Sequence, residues 1–110
     1  MNDLIHDTAA SAVFSDEKMH KVNLYESPHL FCDVYCLKPG QAQKPHTHAQ
    51  NDKIYHALKG TCHVQIGDKV EALTPGRVAI APAGVLHGIE NRSDADATLL
   101  VIMAPNPNAD

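Results

Sequence analysis

The chain has 110 residues, 44% of them hydrophobic and 20% charged, the balance of one globular domain with a modest core of its own. Its net charge of -4 and the absence of any basic run exclude nucleic acid or an anionic membrane as partner, because phosphate groups need clustered Lys and Arg. No charged-then-apolar leader pattern opens the sequence and no apolar run approaches the roughly 20 residues of a membrane span, so a cytoplasmic protein is expected.

In chain order, residues 1–18 are weakly patterned, with Ala9 to Phe14 as their one apolar run, and read as an N-terminal arm. The remainder, 19–110, reads as one barrel domain. Met19 to Tyr25 alternates as a first strand and Ser27-Pro28 breaks it. Leu30 to Leu37 is an apolar and aromatic strand that ends at Lys38-Pro39-Gly40. A turn-rich loop follows, Pro39 to His48, and then strands at Lys53 to Leu58 and Thr61 to Ile66. The two-residue turn Gly67-Asp68 leads into Lys69 to Leu73 as a hairpin. Val78 to Ala81, Val85 to Glu90 and Ala97 to Met103 complete the set, and Pro105 and Pro107 close the chain. Eight or so short strands with Gly/Pro turns and no convincing helix predict an all-β barrel or sandwich.

Three cysteines, Cys32, Cys36 and Cys62, form neither a metal nor a redox spacing. On one strand Cys32 and Cys36 would stand about 13 Å apart, beyond the reach of a disulfide, so all three read as small buried hydrophobes.

The chemistry concentrates in the loop. His46 and His48 are separated by one residue, and on extended backbone such positions share a face about 6.6 Å apart. Two imidazoles are half a metal site, since a divalent transition metal bound through nitrogen takes three or four protein ligands. His87, after the turn Pro82-Ala83-Gly84, is the third candidate. The isolated His6, His20 and His29 read as surface or satisfied core residues, and strand parity turns His56 and His63 away from the site.

These residues carry a resemblance to the cupin family. Gly40, five residues, His46-Thr47-His48, four residues, Lys53, six residues and Gly60 follow the first cupin motif, and Gly76, Pro82, Gly84, His87 and Asn91 follow the second at every position. The two motifs and their spacer span residues 40–91, about half the chain. The resemblance implies an all-β single-domain jelly-roll β-barrel of the RmlC-like kind, with His46, His48 and His87 as ligands of a divalent transition metal, one of Fe, Mn, Ni, Cu or Zn.

One position departs from the pattern: Lys53 stands where the family places a metal-binding glutamate, and a protonated amine has no lone pair to offer. Asp52 keeps the acidic residue's distance from His48, but reaches the site only if the backbone bulges or has not yet entered the strand. Three neutral imidazoles leave the charge of a metal ion uncancelled, which favours a small anionic ligand, with Lys53 and Tyr55 as substrate contacts or proton donors. The reading is a metal-dependent enzyme, concretely a dioxygenase-like activity on a carboxylate, enol or thiol; the alternative is a binding or sensing module without turnover. A homodimer is expected, with Met19 to Tyr25 as an exchanged edge.

Overall fold

The computed structural model describes residues 3–108; the outer ends of the expected arm and barrel domain, residues 1–2 and 109–110, lie outside the described residues. One short helix, α1 (Thr8–Ser11), precedes nine strands: β1 (His20–Ser27), β2 (Leu30–Leu37), β3 (Ala42–His46), β4 (Asp52–Lys59), β5 (Cys62–Ile66), β6 (Lys69–Leu73), β7 (Val78–Ala81), β8 (His87–Glu90) and β9 (Ala97–Ala104). The strands form two sheets, a larger one in the order β1-β2-β9-β4-β7 and a smaller one in the order β3-β8-β5-β6. All the paired strands run antiparallel.

The core lies between the sheets. Alternation sends Tyr35, Leu37, Tyr55, Leu99 and Val101 of the larger sheet inward, where they meet Cys62, Val64, Leu73 and Ile89 of the smaller one. The all-β expectation holds, but the two sheets are hydrogen-bonded separately among the described residues, so the closed barrel of the sequence reading is corrected to a two-sheet arrangement. The cysteines are unpaired, as expected, with Cys36 and Cys62 buried.

Strand boundaries move where local chemistry overrides alternation. β1 carries an irregularity between Asn23 and Tyr25: Asn23 pairs with Asp33, while Tyr25 pairs with Cys32. A bulge of this kind reverses the face, so Tyr25 does not share a side with Lys21 and Asn23 as simple alternation predicts. The loop before His46 contains a strand, β3, that its turn-rich composition concealed. The segment before His87 is a turn, so β8 starts at His87 rather than Val85. The arm also contains one helical turn, capped by Asp7, whose carboxylate accepts from the amides of Ala9 at 3.0 Å and Ala10 at 3.2 Å.

The arm is tied to the body at its C-terminal end. Gln41 Nε2 donates to the Ser15 carbonyl at 2.7 Å, and Lys38 pairs with Asp16. At the far end of the core, Asn91 is fully buried and its amide donates to the carbonyls of Leu37 at 3.0 Å and Ala95 at 2.8 Å. This is the strand-end backbone bonding expected of that residue.

Gly60 has the tightest backbone contact in the molecule's turns. Its φ is +71°, and a Cβ there would lie 2.4 Å from the Asp96 carbonyl oxygen. Gly60→Ala is therefore expected to lower stability by about 2–4 kcal/mol, read as a shift in urea midpoint without a change in slope. A midpoint within error of wild type would show that the 96–97 backbone yields.

Candidate metal centre

His46 and His87 meet because β3 and β8 pair, with His46 directly opposite His87. Between Gln43 and His46 the register shifts by one residue: Gln43 pairs with Ile89 and His46 with His87. The extra residue turns both Gln43 and His46 towards the space between the sheets, a result that strict alternation forbids. Pro45 sits inside this bulge, where its missing N–H costs the ladder nothing.

Gly88 permits the approach. A Cβ at that position would stand 2.9 Å from both the Gln43 carbonyl oxygen and the Pro45 nitrogen. Gly88→Ala is expected to push β3 away from β8, weakening metal binding by about tenfold or more while the chain stays folded. Competition titration against a fluorescent chelator, beside circular dichroism, reads both; unchanged affinity would show that β3 can shift without moving His46.

His48 lies just beyond β3 and is fixed by its own backbone, whose carbonyl accepts from the Gly84 amide at 2.8 Å. The turn that leads to His87 thus also positions His48. The ring centroids are 5.0 Å apart for His46 and His48, 4.4 Å for His46 and His87, and 5.6 Å for His48 and His87. One nitrogen from each ring can be chosen so that all three lie within 4.8 Å of one another.

Hydrogen bonding sets the tautomers. Nδ1 of His46 contacts the Lys44 carbonyl at 2.8 Å, and Nδ1 of His87 contacts the Val85 carbonyl at 3.0 Å. A carbonyl only accepts, so both Nδ1 atoms carry the proton and both Nε2 atoms present a lone pair. His87 Nε2 is buried and has no hydrogen-bond partner among the described residues. Burial is the main cause that holds His87 and His48 below the ordinary imidazole pKa, with the nearby Lys53 and His46 adding to it. A transition metal binds the lone pair of a neutral imidazole, and three such rings converge here, so the residues fit a three-nitrogen centre.

The other predicted residues separate into two groups. Asp52 is exposed, and its Oδ1 accepts from the Ala83 amide at 2.9 Å, which anchors the turn before His87; it lies outside the three-histidine group. Lys53 and Tyr55 both face inward and are fully buried. Lys53 Nζ donates to Gln43 Oε1 at 3.0 Å and lies 5.3 Å and 5.1 Å from the ring centres of Tyr35 and Tyr55. Burial, reinforced by Lys21, pulls its pKa down to about 7 against an opposing pull from Asp33. The Tyr55 ring centre is 6.2 Å from that of His87, and its hydroxyl is buried without a partner. Burial raises its pKa, as does the neighbouring Tyr35.

Gln43, Tyr35 and Asp33 also belong to this interior, and sequence reasoning passed over them. Asp33 is 8% exposed, accepts from Asn23 Nδ2 at 2.8 Å, and has its pKa raised chiefly by burial. Only Pro45, a residue that cannot continue a ladder, signalled the bulge that brings Gln43 in. An open depression of about 500 Å³ lies beside His48, bordered also by Pro28, Gln50, Asn51 and Pro105 to Pro107; His46, His87, Lys53 and Tyr55 do not line it.

The comparisons with known proteins agree with this architecture. The structure of TT1209 from Thermus thermophilus superposes with a TM-score of 0.92 at 45% identity, covering 94% of this chain and 98% of that one. A Klebsiella pneumoniae protein with a double-stranded beta-helix domain gives a TM-score of 0.89 at 21% identity, covering 98% of this chain and 95% of that chain. An uncharacterised Aquifex aeolicus protein is 28% identical over 92 residues, 84% of this chain and 74% of its own. The family model for the cupin domain matches residues 33–103, and the chain belongs to the cupin family.

Proposed function

We propose that this chain is a metal-dependent cupin that acts on a small anionic metabolite, with His46, His48 and His87 holding one divalent transition metal. The observation that carries the reading is the convergence of three ligating nitrogens within 4.8 Å, one of them the buried, unpartnered Nε2 of His87. When bound, Fe, Mn, Ni, Cu or Zn in such a centre supplies Lewis-acid activation of a carbonyl, and iron adds oxygen chemistry, the basis of a dioxygenase-like activity.

The protein's own groups define what enters. Among the described residues no carboxylate belongs to the three-histidine group, so an anionic ligand supplies the missing negative charge. Lys53 Nζ then faces a carboxylate or enolate oxygen and, with a pKa near 7, holds or releases a proton there at neutral pH. The Tyr55 hydroxyl donates to the same group and gains the partner it lacks. Oxygen-electrode assays of metal-loaded protein against carboxylates, enols and thiols test the activity.

The second reading, a binding or sensing module without turnover, is favoured by Lys53 itself, since a buried amine beside the site opposes a bound cation. Thermal-shift screening separates the two: stabilisation by divalent metal supports the enzyme, and stabilisation by organic acids in the presence of chelator supports the module.

A further inference from the structure

The interior around Lys53 is short of negative charge. Lys53 Nζ lies 5.3 Å from the centre of the Tyr35 ring, and Lys21 Nζ lies 5.4 Å from the centre of the same ring. Like charges gathered on one ring oppose each other. Asp33 is the one buried carboxylate among the described residues, and its carboxylate accepts from Asn23 Nδ2 at 2.8 Å.

The hydrogen bonds around the amine are mismatched in the same sense. An ammonium offers three donors and no acceptor. Among the described residues Lys53 Nζ has one acceptor, Gln43 Oε1 at 3.0 Å, besides the ring faces of Tyr35 and Tyr55. Tyr55, whose ring centre is 5.1 Å from Nζ, has a buried hydroxyl with no partner among those residues. The surroundings therefore supply one acceptor for the nitrogen and one spare donor. That set complements a group with a single N–H and an oxygen acceptor better than it complements an ammonium.

We propose that Lys53 is a carbamylation site, at which carbon dioxide adds reversibly to the buried amine. The lone pair of the neutral amine forms the bond to carbon, one C–O π pair moves onto oxygen, and the nitrogen releases one proton to solvent. Nothing is oxidised or reduced. The remaining N–H donates to Gln43 Oε1, and a carbamate oxygen accepts from Tyr55 Oη. The side chain is then an anion that Lys21 attracts, and Asp33 is the acidic group that opposes it.

Burial selects the reagent. Lys53 is 1% exposed, so a bulky aldehyde or ketone does not reach Nζ, whereas carbon dioxide is small, uncharged and apolar. Its pKa of about 7 leaves the amine largely neutral in mildly alkaline solution, where exposed lysines stay protonated and unreactive. The carbamate puts a carboxylate on the residue that stands where the first cupin motif has glutamate. It needs no metal ion; only its effect on metal affinity rests on the three-histidine centre proposed above. Carbon dioxide and an anionic metabolite compete for Lys53, since the free amine attracts the metabolite and the carbamate repels it.

Carbon-13 NMR of the metal-stripped chain in labelled bicarbonate at about pH 8 tests the proposal, with Lys53→Met as the blank. The α-amino group also forms a carbamate and is retained in the blank, so the difference between the two spectra is what counts. The expected result is one additional carbamate resonance per folded wild-type chain, lost on acidification and lost in urea, where Lys53 titrates as an ordinary lysine. Tyr55→Phe keeps the ring and removes the donor, and is expected to weaken carbon dioxide binding about tenfold. Competition titration of zinc against a fluorescent chelator adds a second readout: bicarbonate tightens zinc binding at least about tenfold in the wild type and leaves Lys53→Met unchanged. A folded wild type with no resonance beyond that of Lys53→Met overturns the carbamate, whatever the zinc titration shows. Equal occupancy in Tyr55→Phe overturns its placement against that hydroxyl. A carbamate resonance without zinc binding in either buffer upholds the modification and overturns the metal centre instead.

Discussion

His87→Ala is expected to abolish stoichiometric metal binding while leaving the two sheets folded. Loss of a group that merely orients a metal ligand costs roughly 10- to 100-fold in affinity, so removal of a ligand from a set of three costs more. His87 is the most firmly held of the three histidines: it is buried, its Nδ1 proton is committed to the Val85 carbonyl, and its strand is pinned against β3 by the contact at Gly88. Its Nε2 has no partner among the described residues, so within the protein the substitution removes packing and the one hydrogen bond to the Val85 carbonyl. The expected signature is a loss of metal-dependent thermal stabilisation, with a far-ultraviolet dichroism spectrum like that of the wild type. Full metal occupancy in the variant would mean that the ion sits elsewhere.

The second large effect concerns Lys53. Its amine is fully buried, and its pKa falls from 10.5 in the unfolded chain to about 7 in the folded one. Between those values the unfolded chain holds a proton that the folded chain has released, so stability rises with pH across the window from about 7 to 10.5. Below about 7 both states are protonated and the folded chain bears the whole cost of a buried ammonium. At about 1.4 kcal/mol for each tenfold change in proton affinity, that cost is several kcal/mol. Lys53→Met keeps the volume and removes the amine, at the loss of one hydrogen bond to Gln43. In metal-stripped protein it is therefore expected to be the more stable chain at pH 6 to 7, with a margin that shrinks as the pH approaches 10.5. Urea melts across that range test it; a variant less stable than wild type at pH 6 would place the ammonium in a satisfied ion pair, with Asp33 as the partner.

A buried lysine with this cost is informative because it sits beside the three histidines. Natural chains retain destabilising groups where ligands need them, and Lys53 is near enough to His48 and His87 to lower their pKa values. The lysine that looks like a defect in a metal-binding motif becomes, in this reading, the counter-charge for the ligand.

Much of this was legible in the sequence because it depends on local pattern. Apolar and aromatic content in Leu30 to Leu37 and the apolar run Ala97 to Met103 marked the central strands, and the Gly67-Asp68 turn joins Ile66 and Lys69 as a paired hairpin. The two motifs pointed to His46, His48 and His87 as one group, and the pairing of β3 with β8 and the Gly84 bond to His48 bring them together. What escaped depends on register. The bulge at Pro45 turned Gln43 inward, and the irregularity at Asn23 and Tyr25 turned Tyr25 outward. A shift of one residue reverses a face, and no local preference announces it. Asp52 was equally undecidable from parity, because its carboxylate is taken by the Ala83 amide of a turn distant in sequence.

Elemental analysis of the full chain purified without chelator, beside His46→Ala prepared in parallel, tests the central claim most directly. About one iron, manganese, nickel, copper or zinc per wild-type chain and none in the variant is expected, since His46 supplies one of three nitrogens that lie within 4.8 Å of one another. A wild type that holds no stoichiometric metal even after reconstitution would contradict it, and the buried amine of Lys53 would then be the reason that three converging histidines stay free of an ion.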